Sequence, residues 1–186
     1  MARGRTEYLG QVEREDVEAA IRSAFAGVRL GTGISLQQAR LIDVGLTQDM
    51  NQAEFASIPR HETTEDWTQI AQAELLCDAL GHLDADGLRY YLPALMLWLL
   101  DHYNDEGLIF DPDASMTAIG TMSALAPSAE FARYRWETYD GFTLQQRAAM
   151  AMYVEALPRL VELDREDATR FSRSIQRYWA QFLPIP

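Results

Sequence analysis

Lysine is missing altogether: all 16 basic residues are arginine. With it go Schiff-base catalysis, a pyridoxal-phosphate anchor and the Walker-A lysine, each of which needs a primary amine. Arginine does not substitute, because its guanidinium stays protonated and is a poor nucleophile. Cysteine occurs once, at Cys77, which excludes an intrachain disulfide framework and any multi-cysteine zinc site. The expectation for Cys77 is a reduced, buried thiol. Long apolar runs are lacking too. The longest, residues 90–100, has eleven residues and contains Pro93, whereas a membrane span needs about 20. The first ten residues hold two arginines but no apolar stretch of a secretory signal. A soluble, cytoplasmic protein with no membrane contact is expected.

Positive charge is scarce. There are 28 acidic residues against 16 basic ones, a formal charge of −12. That balance argues against direct nucleic-acid binding, which needs basic residues to displace counterions from phosphates. Nucleophile-elbow spacing (Gly-x-Ser-x-Gly) does not occur. What is present is an ordinary globular composition: 186 residues, 48% apolar and 24% charged, enough chain for one domain with a real core.

The periodicity is helical throughout, predicting a mainly α single compact domain of six to eight helices with at most one short strand pair. Residues 1–12 read as a flexible N-terminus. Residues 16–28 carry Val17, Ala20, Ile21, Ala24 and Phe25 at helical spacing, and Gly31 and Gly33 end the pattern. Ser35 and Gln38 form a capping-box signature for a helix to residue 46. Residues 47–63 read as a loop and residues 66–80 as a helix with Trp67, Ile70, Cys77 and Leu80 inward. Asp84 caps a helix to about residue 104, apolar on every side beyond Leu92 and therefore central. Pro93 is expected to kink or break it. Residues 105–113 form a loop, Ser115 caps a helix to residue 125, and residues 131–139 fit a strand or a helix equally. Thr143 and Gln146 open a helix to about residue 163. Asp164 caps the last, residues 166–182.

Acidic charge is concentrated. Residues 32–113 hold fifteen acidic side chains against three arginines, an excess equal to the whole net charge, while residues 114–186 hold eight of each sign. The plain explanation is a solvated face that keeps the protein in solution. The functional one is a docking surface for a basic protein, with Asp49, Glu54, Glu62, Glu65, Asp66, Asp105, Glu106, Asp111 and Asp113 as its contact residues.

Reaction chemistry has weaker candidates. His82, Asp84 and Asp86 alternate and offer imidazole and carboxylate ligands to a divalent metal. Yet Asp84 is a natural N-cap and Asp86 suits a first helical turn, and the later oxygen ligands of a calcium loop are absent, with Leu88, Tyr90 and Leu92 in their place. Asp101 with Asp105, and His102 with Glu106, share helix faces and would suit acid–base work only if buried together. Arg89 reads as a partner for Asp86 or Asp84.

At residues 83–96, Leu-Asp-Ala-Asp-Gly-Leu-Arg-Tyr-Tyr-Leu-Pro-Ala-Leu-Met, the chain resembles an uncharacterised family of small bacterial proteins. The shared centre of that family reads Leu-Asp-x-x-Gly-x-Arg-Phe-Tyr-Leu-Pro-Ala-Phe-Met; Tyr90 and Leu95 stand here in place of its phenylalanines. The likeness runs from about residue 17 to 157, so residues 164–186 read as an addition to the shared core. It implies one compact domain and brings no activity. Within the motif, Asp84 caps, Gly87 permits close packing, Arg89 pairs and Pro93 bends the chain, all structural tasks.

Three functions remain in view. The first is a non-enzymatic acidic protein that occupies a basic partner, most concretely a bacterial immunity protein neutralising a toxin, with no catalytic residue and no cofactor. The second is a metal-dependent enzyme or metal binder using His82, Asp84 and Asp86 or the Asp101–Glu106 cluster. The third is an interaction module docking through Phe171, Ile175, Tyr178, Trp179 and Phe182 of the last helix.

Overall fold

The computed structural model describes residues 2–60, 64–108 and 110–183, with side chains from residue 13 onward. Among them are nine α-helices and short 3₁₀ turns, with no strand. The α-helices are α1 (Ala2–Ala24), α2 (Leu36–Asp43), α3 (Gln52–Ala56), α4 (Gln72–Leu75), α5 (Ala85–His102), α6 (Pro112–Leu125), α7 (Ala132–Thr138), α8 (Leu144–Leu160) and α9 (Arg165–Arg177). No helix among the described residues is long and apolar enough to cross a membrane.

α5 is the axis. Twelve of its 18 residues are buried, nine of them large leucine, methionine, tyrosine or tryptophan side chains. The break expected at Pro93 does not occur; the proline lies inside a continuous helix. An interior proline costs ~3 kcal/mol, whereas each large apolar side chain withdrawn from water contributes about 1.5–3 kcal/mol. Burial on all sides outweighs the missing N–H. α1 packs along α8, and both meet α5, while α6 covers another side of it. One hydrophobic cluster therefore links Val17 on α1 to Phe171 and Trp179 near the end of the chain.

The start of α5 is clamped. One Asp84 carboxylate oxygen accepts from the N–H of Gly87 (2.8 Å) and from the N–H of Ile34 (2.9 Å). It thus caps α5 and ties it to the turn before α2. Arg60 reinforces that turn by donating to the carbonyls of Gly31 and Gly33, each at 2.8 Å. The approach is so close that a Cβ on Gly87 would stand 2.3 Å from the Ile34 carbonyl oxygen. Arg89 bonds Asp86 at 2.9 Å and leaves Asp84 to this work.

Other sequence expectations need correction. Residues 131–139 form α7, not a strand. The region read as loop, 47–63, contains α3, capped by an Asn51–Glu54 box. Residues 66–80 are not one helix. A 3₁₀ turn at Trp67–Gln69, the four-residue α4 and a second 3₁₀ turn at Leu80–His82 take its place. Tertiary partners claim the backbone there: the Cys77 N–H donates to Thr117 Oγ1 of α6 (2.7 Å) instead of to a helical carbonyl. Cys77 is buried in that extended stretch, not on a helix. The cap of α6 is Asp111, three residues before the helical Ala114, and not Ser115; Pro112 follows at the first helical position. α1 begins at Ala2, well before the 16–28 span read from periodicity and within the residues read as a flexible N-terminus, and it ends at Ala24, four residues before that span does.

The final segment turns two of the five residues singled out for docking into the core and leaves Ile175, Tyr178 and Phe182 half-buried. Phe171 and Trp179 are fully buried. Trp136 stacks on Tyr178 (centroids 4.2 Å apart), and Trp179 and Phe182 pack around them. Three donors from this segment reach the end of α6: Ser174 Oγ (2.9 Å) and Trp179 Nε1 (2.8 Å) both donate to the Leu125 carbonyl, and Arg170 Nε donates to that of Ala126. Tyr139 adds a fourth bond, to the Ala124 carbonyl at 2.7 Å.

Two glycines give a direct test of the α5 clamp. Gly87→Ala is expected to lower unfolding free energy by about 1–3 kcal/mol through forced overpacking. Gly81→Ala, whose Cβ meets no described atom within 4 Å, should change it by less than about 0.5 kcal/mol. Urea unfolding of both variants against the parent chain measures the difference.

Candidate functional site

Of the nine carboxylates expected to form a docking face, the described ones do not make one patch: Glu65 and Asp66 lie toward one end of α5, and Asp105, Glu106, Asp111 and Asp113 follow the other. Thr64, next to Glu65 and Asp66, accepts a hydrogen bond from Tyr90 in the first half of α5. Asp105 and its neighbours follow the other end, about 20 Å further along at 1.5 Å per residue. Several of them already have local work. Glu54 accepts from the Asn51 N–H (2.8 Å) to close the α3 capping box, and Glu65 pairs with Arg29. Asp66 accepts from the N–H and hydroxyl of Thr68, which holds its carboxyl below the usual range. Asp111 caps α6 through the N–H groups of Asp113 and Ala114. Asp49, Asp105, Glu106 and Asp113 are exposed. Glu62 lies outside the described residues.

The second group does converge with other acid. A groove of about 410 Å³ lies between the α5–α6 connection, α6 and the α8–α9 turn. Asp105 lines it from one side, and Glu162, Asp164 and Asp167 line it from the other. Its floor is apolar, from Leu108, Ala118, Ile119 and Met122. Asn104 holds the two walls together like a short rung: its Oδ1 accepts from the Glu162 N–H (3.1 Å) and its Nδ2 donates to the Glu162 carbonyl (3.5 Å). Asp164 is the N-cap of α9, accepting from the Asp167 N–H at 2.8 Å. Ile119 is 46% exposed, Met116 one turn earlier is 43% exposed, and Phe110 on the same connection is 80% exposed. Anionic rim and apolar floor together can seat a segment carrying both positive charge and an apolar anchor.

One member of the groove, Asp167, has its acidity shifted. Burial, and then the neighbouring Asp164 charge, raise the Asp167 carboxyl above its ordinary 3.8. Tyr103, which donates to Asp167 at 3.3 Å, is also pushed up, chiefly by burial. Carboxylates kept close without cations inside the groove are the condition under which an incoming cation gains most.

Residues proposed for metal or acid–base chemistry are engaged separately. His82 Nε2 meets Asp43 at 3.0 Å, Asp84 caps α5 and Asp86 holds Arg89. No group of three or more metal-ligating side chains forms among the described residues. Asp101 pairs with Arg14 of α1. His102 stacks on Trp98 at 5.2 Å, with Nδ1 against the Trp98 carbonyl and Nε2 beside Gln72, so both ring nitrogens are engaged by groups other than Glu106.

Segment counting missed Glu162, Asp164 and Asp167, because residues 114–186 balance to zero. The available signal was the capping role of Asp164, which marks a helix start and so brings Asp164 and Asp167 to one end of α9.

The raised carboxyl fixes the sign of a pH effect. An Asp that ionises at 3.8 when unfolded but higher when folded binds its proton better in the native state, so stability falls as pH rises from 3.8 through the folded value. Asp167→Asn removes this loss. It should match the parent chain below about pH 4 and exceed it at pH 7, by less than about 1 kcal/mol because water still reaches the group. Thermal melts across that range read the crossover.

Comparison with curated proteins and with solved structures finds no match. A family model does match, over residues 13–183, which takes in α9 and places the last helix within the shared region instead of beyond residue 157. The chain belongs to that family, described as a family of unknown function, DUF6714.

Proposed function

We propose that this protein is a non-enzymatic binding protein, acting in the bacterial cytoplasm, that seats a basic segment of a partner protein in the groove between α6 and the α8–α9 turn. Its most concrete form is an immunity protein occupying a toxin. One observation carries the reading: Asp105 and the trio Glu162, Asp164 and Asp167, far apart in sequence, line a single groove with an apolar floor. Complementary fields accelerate encounter and exclude wrong partners, while a desolvated apolar anchor supplies residence time. The net charge of −12 attracts a cationic partner from a distance, within the limit set by screening. Compared with the surface expected from sequence, the footprint shifts toward the 105–113 half and gains the α8–α9 turn. The metal-centred alternative is less favoured because His82, Asp84, Asp86, Asp101 and His102 are each engaged with a separate partner. The module built on the last helix would need Phe171 and Trp179, which are internal.

The test uses the full chain and a variant carrying Asp105→Asn, Glu162→Gln, Asp164→Asn and Asp167→Asn. Asparagine still caps α9, so folding is retained while the groove loses its charge. A partner recovered from the native host at low salt is purified and its association rate measured against both. The expected result is a basic partner whose association with the parent chain slows at least tenfold as salt rises from about 50 to about 500 mM. The neutralised variant should associate slowly at every salt. Association indifferent to salt and to the four substitutions overturns the reading.

A further inference from the structure

α9 presents a second, oppositely charged surface. On the side facing α7 and the preceding turn lies the larger groove, about 870 Å³, and four arginines line it: Arg165, Arg170, Arg173 and Arg177. They are a quarter of all cations in a chain with 28 acidic residues, yet only Glu166 opposes them in the lining. Arg170 is committed to the fold through the Ala126 carbonyl and Ser123 Oγ. Arg165, Arg173 and Arg177 have no ion-pair or hydrogen-bond partner for their guanidinium groups among the described residues. The opposite wall is Trp136, stacked on Tyr178, with Ala132 beside it. Arg135, on the same helix as Trp136, keeps one guanidinium nitrogen buried without an acceptor.

From this we infer that the α7–α9 groove is a binding site for a small molecule bearing linked phosphates. A guanidinium fork matches phosphate oxygens two at a time, more strongly than a neutral donor. Arg173 and Arg177 stand one helical turn apart and Arg165 two turns before Arg173, so the guanidinium groups form a row about 6 to 12 Å apart along the axis. A chain of phosphates can follow that row, whereas a single carboxylate meets only one member. The volume falls in the range of small-molecule sites, roughly 300–1,000 Å³, and leaves room beside Trp136 for a ring carried by the phosphates. The negative charge of the rest of the molecule does not forbid this, because at physiological salt fields fade over about 8 Å. It does disfavour a nucleic-acid strand, which would run out of the groove onto acidic surface.

The experiment is calorimetric titration of the full chain with sodium tripolyphosphate, with ATP and with citrate at low ionic strength. The comparison variant is Arg173→Gln/Arg177→Gln, whose sites are exposed and unpartnered and whose melting temperature should equal that of the parent chain. The expected result is one-to-one binding of tripolyphosphate, at least tenfold tighter than citrate and weakened at least tenfold in the variant. Tighter binding of ATP than of tripolyphosphate would assign the Trp136 side to a nucleotide base, and equal binding would assign the site to the phosphates alone; both support the site. No binding of either phosphate at millimolar concentration, citrate binding as tightly, or unchanged affinity in a correctly folded variant overturns it. The acidic groove plays no part in these readouts.

Discussion

The carbonyls at the end of α6 are the constraint on which the C-terminal half depends. A helix end leaves its last carbonyls without partners, and inside a protein each unmet one is costly. Here Tyr139, Ser174, Trp179 and Arg170 supply the donors for residues 124–126. Three of the four come from α9 or the turn just after it, so α9 can occupy only one position and one rotation about its axis. That rotation turns Phe171 and Ser174 inward. It leaves Asp167 against Tyr103 on one flank and Arg173 and Arg177 toward α7 on the other. Both grooves follow from how the end of α6 is satisfied.

Local backbone signals in this sequence are legible where a side chain caps its own helix. The boxes at Ser35–Gln38 and Thr143–Gln146 form as reciprocal pairs of bonds, and the caps at Asp84 and Asp164 as single bonds, all within three residues. These local bonds are the part a sequence announces; the further bond of Asp84 to the Ile34 N–H is not. Residues 66–80 fail the same approach for a physical reason. Their apolar spacing suits a helix, but Thr117 takes the Cys77 N–H and Arg40 donates to the Leu76 carbonyl. Those partners lie some 40 residues away in the chain, and no local pattern announces them. Pro93 is the converse case, where a strong local rule yields to the burial of an entire helix.

Charge is misread when it is counted along the chain instead of around the helix. Residues 114–186 balance to zero as a sum, but α9 and the turn before it sort the two signs onto different sides. Glu162, Asp164 and Asp167 face the groove beside α6, and the arginines face the groove beside α7. Conversely, the fifteen acidic residues of the middle segment promise more surface than they deliver. Asp43, Asp84, Asp86, Asp101 and Asp111 are tied to caps and ion pairs. Of the residues singled out for docking, the exposed 105–113 group adjoins the groove, and it does so because the loop carrying it is pinned to Glu162 by Asn104.

Helix electrostatics account for part of this arrangement and leave a remainder. Acid in the first turn of a helix and arginine in the last both favour the macrodipole, so Asp164, Asp167 and Arg177 would help α9 fold whether or not anything binds. Arg165 does not fit that explanation. It occupies the first helical position, where positive charge opposes the dipole, and it joins the other arginines in lining the groove. These cations gather where Glu166 is the single acidic lining residue. A row of cations held together against mutual repulsion raises the electrostatic free energy of the empty groove, and an incoming anion relieves it.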